Sequence, residues 1–359
     1  MKKLCVALLL SAAFFAGCNF QSGSSLEIIN MVDHARISAD SVALTTISES
    51  VRVVPLKTPQ SLVIGNLGRV AQYGEYIFVT TYQGIYVFDQ EGNYQNTIGT
   101  KGRGPAEYIS LAYMFPNDTG LWIIDDAQKK VLHYSTKGAF LGSYFFSEYP
   151  GQSLASCFHM QKGETFVAFV PDMGQPNSDI MLSFFDKTHI IDSVLYYNPI
   201  INSGNVQSNF YDEAQFVDNK GKTRFKEMLN DTIYTIDNHR LIPEFVVALG
   251  NRAPDKNARE IMTKDRQYYP FDNADRIDLF GVGDHYVYLK DIRGRPYFYD
   301  KKKSTLECLY FTLPQDSRID PSDLRGFVGK YIDNDNNLIG WVNPANEDDN
   351  PVLIIAKLK

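Results

Sequence analysis

An all-β chain built from six copies of one unit is what the sequence predicts, on three observations. A strand–turn–strand pattern returns six times between Gly84 and Ile355. Its anchor residues, Phe88, Tyr134, Phe185, Ile236, Tyr299 and Ile355, recur at intervals of about 46 to 63 residues, the length of a four-stranded propeller blade. A strand without a partner stands at each end of the repeat array. Together these predict a six-bladed β-propeller. A long β-sandwich is the competing architecture that hairpin signals alone leave open.

In chain order, Lys2 and Lys3 give a positive start, and Leu4 to Phe15 is an apolar run too short to span a bilayer. Ala16, Gly17 and Cys18 then provide a small-residue exit, as in a secretory leader. The stretch Phe15-Ala16-Gly17-Cys18 resembles the lipobox of bacterial lipoproteins. That resemblance implies that residues 1–18 form the signal and that Cys18 becomes a lipidated N-terminus. Residues 19–48 are expected to be a tether and N-terminal segment, with Ser22-Gly23-Ser24-Ser25 as its most flexible composition. Residues 49–359 are expected to form the propeller.

The first repeat is Gly84 to Tyr94, an alternating aromatic and β-branched run broken by Asp89-Gln90-Glu91-Gly92. Asp bonds back to nearby backbone and Gly takes positive φ, which is hairpin chemistry. Further copies follow at 131–140, 181–190, 231–238 and 296–302, and Val352 to Ile355 is a sixth whose second strand is missing. Other strands precede most anchors, at Tyr76–Thr80, Leu121–Ile124, Glu164–Val170, Tyr286–Lys290 and Leu338–Val342. Asp255 to Tyr268 carries helical periodicity through Ala258, Ile261 and Met262, so one short helical insertion is expected between the fourth and fifth blades. Closure follows from the two orphan ends: Ser50 to Leu56 is expected to pair with Val352 to Ile355 and remove a free sheet edge.

The net charge is −7, and losing Lys2 and Lys3 with the leader takes it to −9. An acidic domain without a Lys/Arg block does not suit nucleic acid, whose phosphates demand a basic face. Attachment to an anionic membrane surface would therefore rest on the lipid. Cys157 and Cys308 lie in separate apolar runs; two buried thiols are expected, with one disulfide as the alternative in an oxidising compartment.

The lipobox, the loop Ile98-Gly99-Thr100-Lys101-Gly102-Arg103-Gly104-Pro105-Ala106-Glu107-Tyr108 and the segment Leu229-Asn230-Asp231-Thr232-Ile233-Tyr234 together resemble the six-bladed β-propeller lipoproteins of Bacteroidetes, relatives of NHL-type propellers. The resemblance covers the chain from about Val51 onward. It implies a propeller in the cell envelope and leaves the chemistry open, because six-bladed relatives include lactonases, amidating lyases, strictosidine-synthase-like enzymes and plain binding scaffolds. The acidic cluster that marks surface export in such lipoproteins is missing from Asn19-Phe20-Gln21-Ser22-Gly23. The outer membrane, with the domain on its periplasmic side, is accordingly the expected location.

Candidate site residues sit in loops expected to converge on one mouth of the central channel. Arg103, Glu107 and Tyr108 occupy the Gly-rich link, where Arg103 could meet a carboxylate or phosphate. Glu107 could accept hydroxyl or ammonium donors, and Tyr108 could stack on a sugar ring or seal the core. The alternative is a structural crossover in which Arg103 and Glu107 pair or cap backbone. Asp125, Asp126, Asp172, Asn177, Asn230, Asp231, Asp291, Arg293, Arg295, Asn343, Glu347, Asp348 and Asp349 fill the other loops on this side. Asp125, Asp231 and Arg293 join the first three as ligand-binding candidates. The fold requires no cofactor, but this many oxygen donors could hold a divalent cation such as calcium. Asp333-Asn334-Asp335-Asn336-Asn337 resembles the opening of an EF-hand loop, yet Leu338 stands where its glycine should be, so a hairpin turn is expected. The six histidines show no metal spacing, and no Gly-x-Ser-x-Gly or His-Glu-x-x-His motif occurs. Three readings remain: a binding module for a glycan, peptide or protein partner, a propeller enzyme, lactonase- or lyase-like, with its site in the channel, and a structural part of a larger envelope complex.

Overall fold

The computed structural model describes residues 26–32, 41–111, 113–146, 156–170, 180–196, 214–258, 260–261, 265, 268–346 and 348–359. Cys18, Asp172, Asn177 and Glu347 lie outside the described residues. Six four-stranded antiparallel units follow one another, each with strands a to d from the centre outward. Blade 1 is Leu67–Tyr73, Tyr76–Thr81, Ile85–Asp89 and Tyr94–Ile98. Blade 2 is Tyr113–Asn117, Gly120–Asp125, Lys130–Tyr134 and Phe140–Phe145. Blade 3 is Ser156–Met160, Phe166–Phe169, Ile180–Phe185 and Ile190–Leu195. Blade 4 is Ala214–Asn219, Lys222–Glu227, Thr232–Asp237 and Arg240–Ala248. Blade 5 is Ile277–Val282, Tyr286–Asp291, Pro296–Asp300 and Thr305–Cys308. Blade 6 takes Tyr331–Ile332, Asn337–Val342 and Val352–Leu358 from the C-terminus, and its outer strand is Ser48–Pro55.

The repeat legible in sequence is strand c of every blade, and all six anchors are buried there. Outside blade 4, strands b and c are largely apolar because each blade is sandwiched between two others, so both sheet faces are covered. The outer strands of blades 1 and 2 alternate instead, as Tyr94–Ile98 and Phe140–Phe145 do. The c–d turns close by side-chain capping: Asp89 Oδ1 accepts the Glu91 and Asn93 amides at 3.0 and 2.8 Å, and Asp300 accepts those of Lys302 and Lys303. Asn238 and His239, both at positive φ, make the equivalent turn in blade 4. Asp333 caps its own turn through the Asp335 and Asn337 amides, so the EF-hand-like run is a hairpin.

Among the described residues the core divides into six clusters, one at each boundary between neighbouring blades. Phe78, Val87 and Leu121 lie between blades 1 and 2, Ile124, Phe158 and Phe185 between 2 and 3, and Phe169, Phe184 and Phe225 between 3 and 4. Ile233, Leu279 and Leu289 fill the next boundary, Tyr288, Phe298 and Ile354 the fifth, and Val54, Ile77, Phe88 and Leu353 the sixth, between blades 6 and 1. That last cluster closes the ring. Ser48–Pro55 pairs antiparallel with Val352–Leu358 in a register that sets Val53 against Ile354 and Val54 against Leu353.

The N-terminal segment is more than a tether. Glu27–Asn30 adds a fifth strand to blade 4, parallel to Arg240–Ala248, and Ile29 is fully buried by it. Glu27 accepts a hydrogen bond from the Tyr299 hydroxyl of blade 5 at 2.7 Å. Val42–Ala43 pairs with Phe311–Thr312, and Leu44 enters the cluster between blades 5 and 6. Ala258, Glu260 and Ile261 are helical, in the interval between blades 4 and 5 where the insertion was expected. Cys157 and Cys308 are separate buried thiols, and burial pushes the Cys308 thiol pKa up. No helix among the described residues is long and apolar enough to cross a membrane.

Candidate functional site

The topology puts the d-to-a links and the b–c loops on one face, so Arg103, Glu107, Tyr108, Asp125, Asp231 and Arg293 all lie around the same mouth. The first four come together. Thr100–Lys101 folds back parallel to Glu107–Tyr108, and the turn between them is built around the Glu107 side chain. Glu107 Oε2 accepts the Gly104 amide at 2.7 Å. A Cβ at Gly102 would meet the same oxygen at 2.0 Å, so only glycine lets the carboxylate lie flat against the loop.

Blade 2 grips this loop from below. Asp125, fully buried at the end of strand b, accepts the amides of Ile109 and Ser110 at 2.7 and 3.2 Å. It also accepts the Gln128 amide at 3.1 Å and the Gln128 side chain at 2.6 Å. The Lys130 ammonium, 1 % exposed, donates to the carbonyls of Gly104 at 3.0 Å and Glu107 at 2.5 Å. Burial lowers its pKa, against the opposing pull of Asp125 and Glu107. Tyr108 is buried in the cluster between blades 1 and 2, donates to the Ile98 carbonyl at 3.1 Å, and has its pKa pushed up to about 12 by burial. The Tyr134 hydroxyl, raised to about 12 for the same reason, donates to the Ala106 carbonyl.

Of the two sequence readings of this loop, the crossover describes Glu107, Tyr108 and Asp125: their polar atoms are spent on backbone, and Tyr108 seals the core. Arg103 differs. It is exposed at the loop tip, with no ion pair or side-chain hydrogen bond among the described residues. Close by, the Lys101 ammonium sits 3.8 Å from the centre of the Tyr82 ring, which is 89 % exposed.

Asp231 and Arg293 occupy the b–c loops of blades 4 and 5, apart from the first group. Asp231 is exposed; its carbonyl accepts the Val247 amide at 2.8 Å and its carboxylate the Thr232 hydroxyl at 3.0 Å. The Arg293 amide donates to Asp291, which is 7 % exposed and also holds Arg295, while the Arg293 side chain is exposed.

Inside the mouth, polar side chains tie neighbouring inner strands together. Asp278 accepts from Arg276 at 2.9 Å and from Gln215 of blade 4 at 3.2 Å. The Arg69 guanidinium of blade 1 lies 4.6 Å over the Tyr113 ring of blade 2. Lys226 is buried, donates to the carbonyls of Asn230 and Glu227 at 2.9 and 3.3 Å, and titrates at about 8 because burial disfavours its charge. Lys290, beside the rings of Phe280 and Tyr288, is also held near 8 by burial, with the Lys330 charge adding to the effect. Sequence reasoning missed both lysines. For Lys290 the available signal was a lysine near the end of the otherwise apolar b strand Tyr286–Asp291; Lys226 lies in the polar-reading Lys222–Glu227 and gave none. Among the described residues no three His, Cys, Asp or Glu side chains gather as a cation site would require.

A family model described as a domain of unknown function, DUF4934, matches residues 26–357. Among solved structures, the chain is similar to a Bacteroides fragilis protein described as a candidate for export. The TM-score is 0.68 at 18 % identity, covering 92 % of this chain and 99 % of that one. At this identity the likeness shows the fold. A DUF4221 family member from Bacteroides vulgatus matches with a TM-score of 0.48 and 11 % identity, over 86 % of this chain and 96 % of that one. A streptogramin B lyase matches with 0.43 and 12 %, over 85 % and 97 %. No curated protein matches the sequence.

Proposed function

The chain belongs to the DUF4934 family, and on that footing we propose that it is a lipid-anchored binding propeller of the bacterial cell envelope. The observation that carries this reading is the division of labour at the mouth. The carboxylates of Glu107, Asp125 and Asp291 are engaged in holding loops, whereas Arg103, Arg293 and Tyr82 project outward from a rigid ring. A rigid scaffold presenting free polar and aromatic groups can bind without ordering its own loops, which keeps the entropic cost of association low.

The course of the N-terminus supports an outward-facing mouth. Arg240–Ala248 runs from the c–d turn face toward the mouth face, and Glu27–Asn30 lies parallel to it. Glu27 therefore stands at the end of its strand away from the mouth. The eight residues between Cys18 and Glu27 span at most about 30 Å when extended. A lipid on Cys18 would hold the rear of the ring toward the membrane, with the mouth facing the aqueous side; attachment to the outer membrane with the domain in the periplasm fits this geometry. The partners proposed are a glycan, a peptide or an envelope protein.

One experiment tests both halves. Cys18→Ala should move the protein from the membrane to the soluble fraction. That soluble form, screened on glycan and peptide arrays, should show binding that weakens in Arg103→Ala and Arg293→Ala without a change in melting temperature. A fully processed, membrane-bound Cys18→Ala protein would refute the anchor, and array binding indifferent to both arginines would refute this mouth as the binding face.

A further inference from the structure

Lys290 and Lys330 lie at the mouth ends of the neighbouring blades 5 and 6. Lys290 is the penultimate residue of strand b in blade 5, which runs toward the mouth. Lys330 immediately precedes strand a of blade 6, which leaves the mouth. The Lys290 ammonium lies 4.4 Å from the centre of the Phe280 ring and 5.3 Å from that of Tyr288. The Lys330 ammonium lies 5.0 Å from the Trp341 ring, and Trp341 is penultimate in its own mouth-directed b strand.

Lys290 is half-buried and Lys330 exposed, whereas the sheltered cations elsewhere in the ring have oxygen partners. Arg224 has Glu244, Arg276 has Asp278 and Arg295 has Asp291, while Lys130, Lys226 and Lys301 donate to carbonyls. Among the described residues Lys290 and Lys330 have neither an ion pair nor a side-chain hydrogen bond. Ring faces attract an ammonium but do not cancel its charge. Burial and the nearby Lys330 charge both disfavour the Lys290 ammonium, and an anion bound beside the two lysines would offset that cost. The partial burial of Lys290 strengthens attraction to that anion on its side, because less water competes there.

We propose that Lys290 and Lys330 form an anion subsite at the mouth, for the carboxylate or sulfate of an acidic sugar. Phe280 lies against the Lys290 ammonium and Trp341 against that of Lys330, and aromatic surfaces suit the apolar face of a sugar ring. The assignment rests on the binding-module reading and gives it a ligand class. It also explains how an acidic protein can take an acidic ligand, since attraction depends on the local charge at the mouth and not on the net charge.

Isothermal titration of the purified protein with glucuronate, glucose 6-sulfate, glucose and inorganic sulfate tests the proposal. Glucuronate or the sulfate ester should bind, and glucose should not. Lys290→Met and Lys330→Met should each weaken binding by about tenfold or more, the loss expected for one charged contact. Methionine keeps the apolar stem and removes the unpaired ammonium, so the melting temperature should hold or rise. Lys302→Met, on an exposed c–d turn, should bind as the parent does. Equal binding of glucose and glucuronate, or an affinity unchanged by both lysine substitutions, would overturn the site. Binding of inorganic sulfate alone would overturn the sugar assignment. Array binding of any other ligand that survives both substitutions would remove this subsite while leaving the binding module in place.

Discussion

Asp125 and Arg103 stand within one loop system and separate structure from surface at the scale of single residues. Asp125 accepts three amides and one side-chain N–H in a site closed to water. Asp125→Ala would strand those donors without solvent, and each buried unpaired group costs about 1 to 3 kcal/mol. A loss of about 3 kcal/mol or more is therefore expected in chemical denaturation. Arg103→Ala removes only an exposed side chain and should stay within about 0.5 kcal/mol. Equal losses from the two would mean that the Arg103 side chain also holds the crossover. The Lys130 ammonium belongs with Asp125: two carbonyls of the same loop receive its protons, so its charge is part of the clamp.

Among the elements, the short N-terminal strand is the informative case. Glu27–Asn30 covers the outer edge of blade 4, and the Met31 amide continues the pairing to the Ala248 carbonyl at 2.9 Å. Ile29→Ala should cost about 2 to 4 kcal/mol, as buried aliphatic truncations do. Hydrogen exchange should quicken for the amides of residues 27–31 while those of blade 1 stay protected. Unchanged exchange at residues 27–31 would show that Ile29 does not hold the strand. This strand was not legible in the sequence, because four residues reading Glu-Ile-Ile-Asn show too short an alternation to separate from tether. Lys222–Glu227 was missed for a different reason. Its Lys-Thr-Arg-Phe-Lys-Glu reads as exposed, yet it is almost wholly buried, and Arg224 pays its way through Glu244, 3.0 Å distant. The c strands were legible because their alternation runs into Asp- and Gly-rich turns, and those turns need specific residues. Legibility of the mouth followed the same division. The link from Gly99 to Tyr108 is contiguous and could be read as a crossover or a site, whereas Lys290 and Lys330 come from different blades and become neighbours only in the ring.

For the whole molecule, stability depends on the closure of six equivalent boundaries. Ser48–Pro55 serves two of them at once: Val51 and Val53 pack toward blade 5, and Val54 packs toward blade 1. Removing this strand would strip the last blade of its outer partner and leave Val352–Leu358 as an open edge, the usual template for aggregation. Removing Glu27–Asn30 would expose an outer edge too, but every blade would keep four strands and the ring would stay closed. Deletion of residues 48–55 should thus abolish a single cooperative melting transition or drive the protein into aggregates, whereas deletion of residues 26–32 should lower the midpoint and keep one transition. Light scattering during thermal melts of the two deletions distinguishes these outcomes. If the protein lacking residues 48–55 melts as the intact chain does, the N-terminal strand is not what closes the ring.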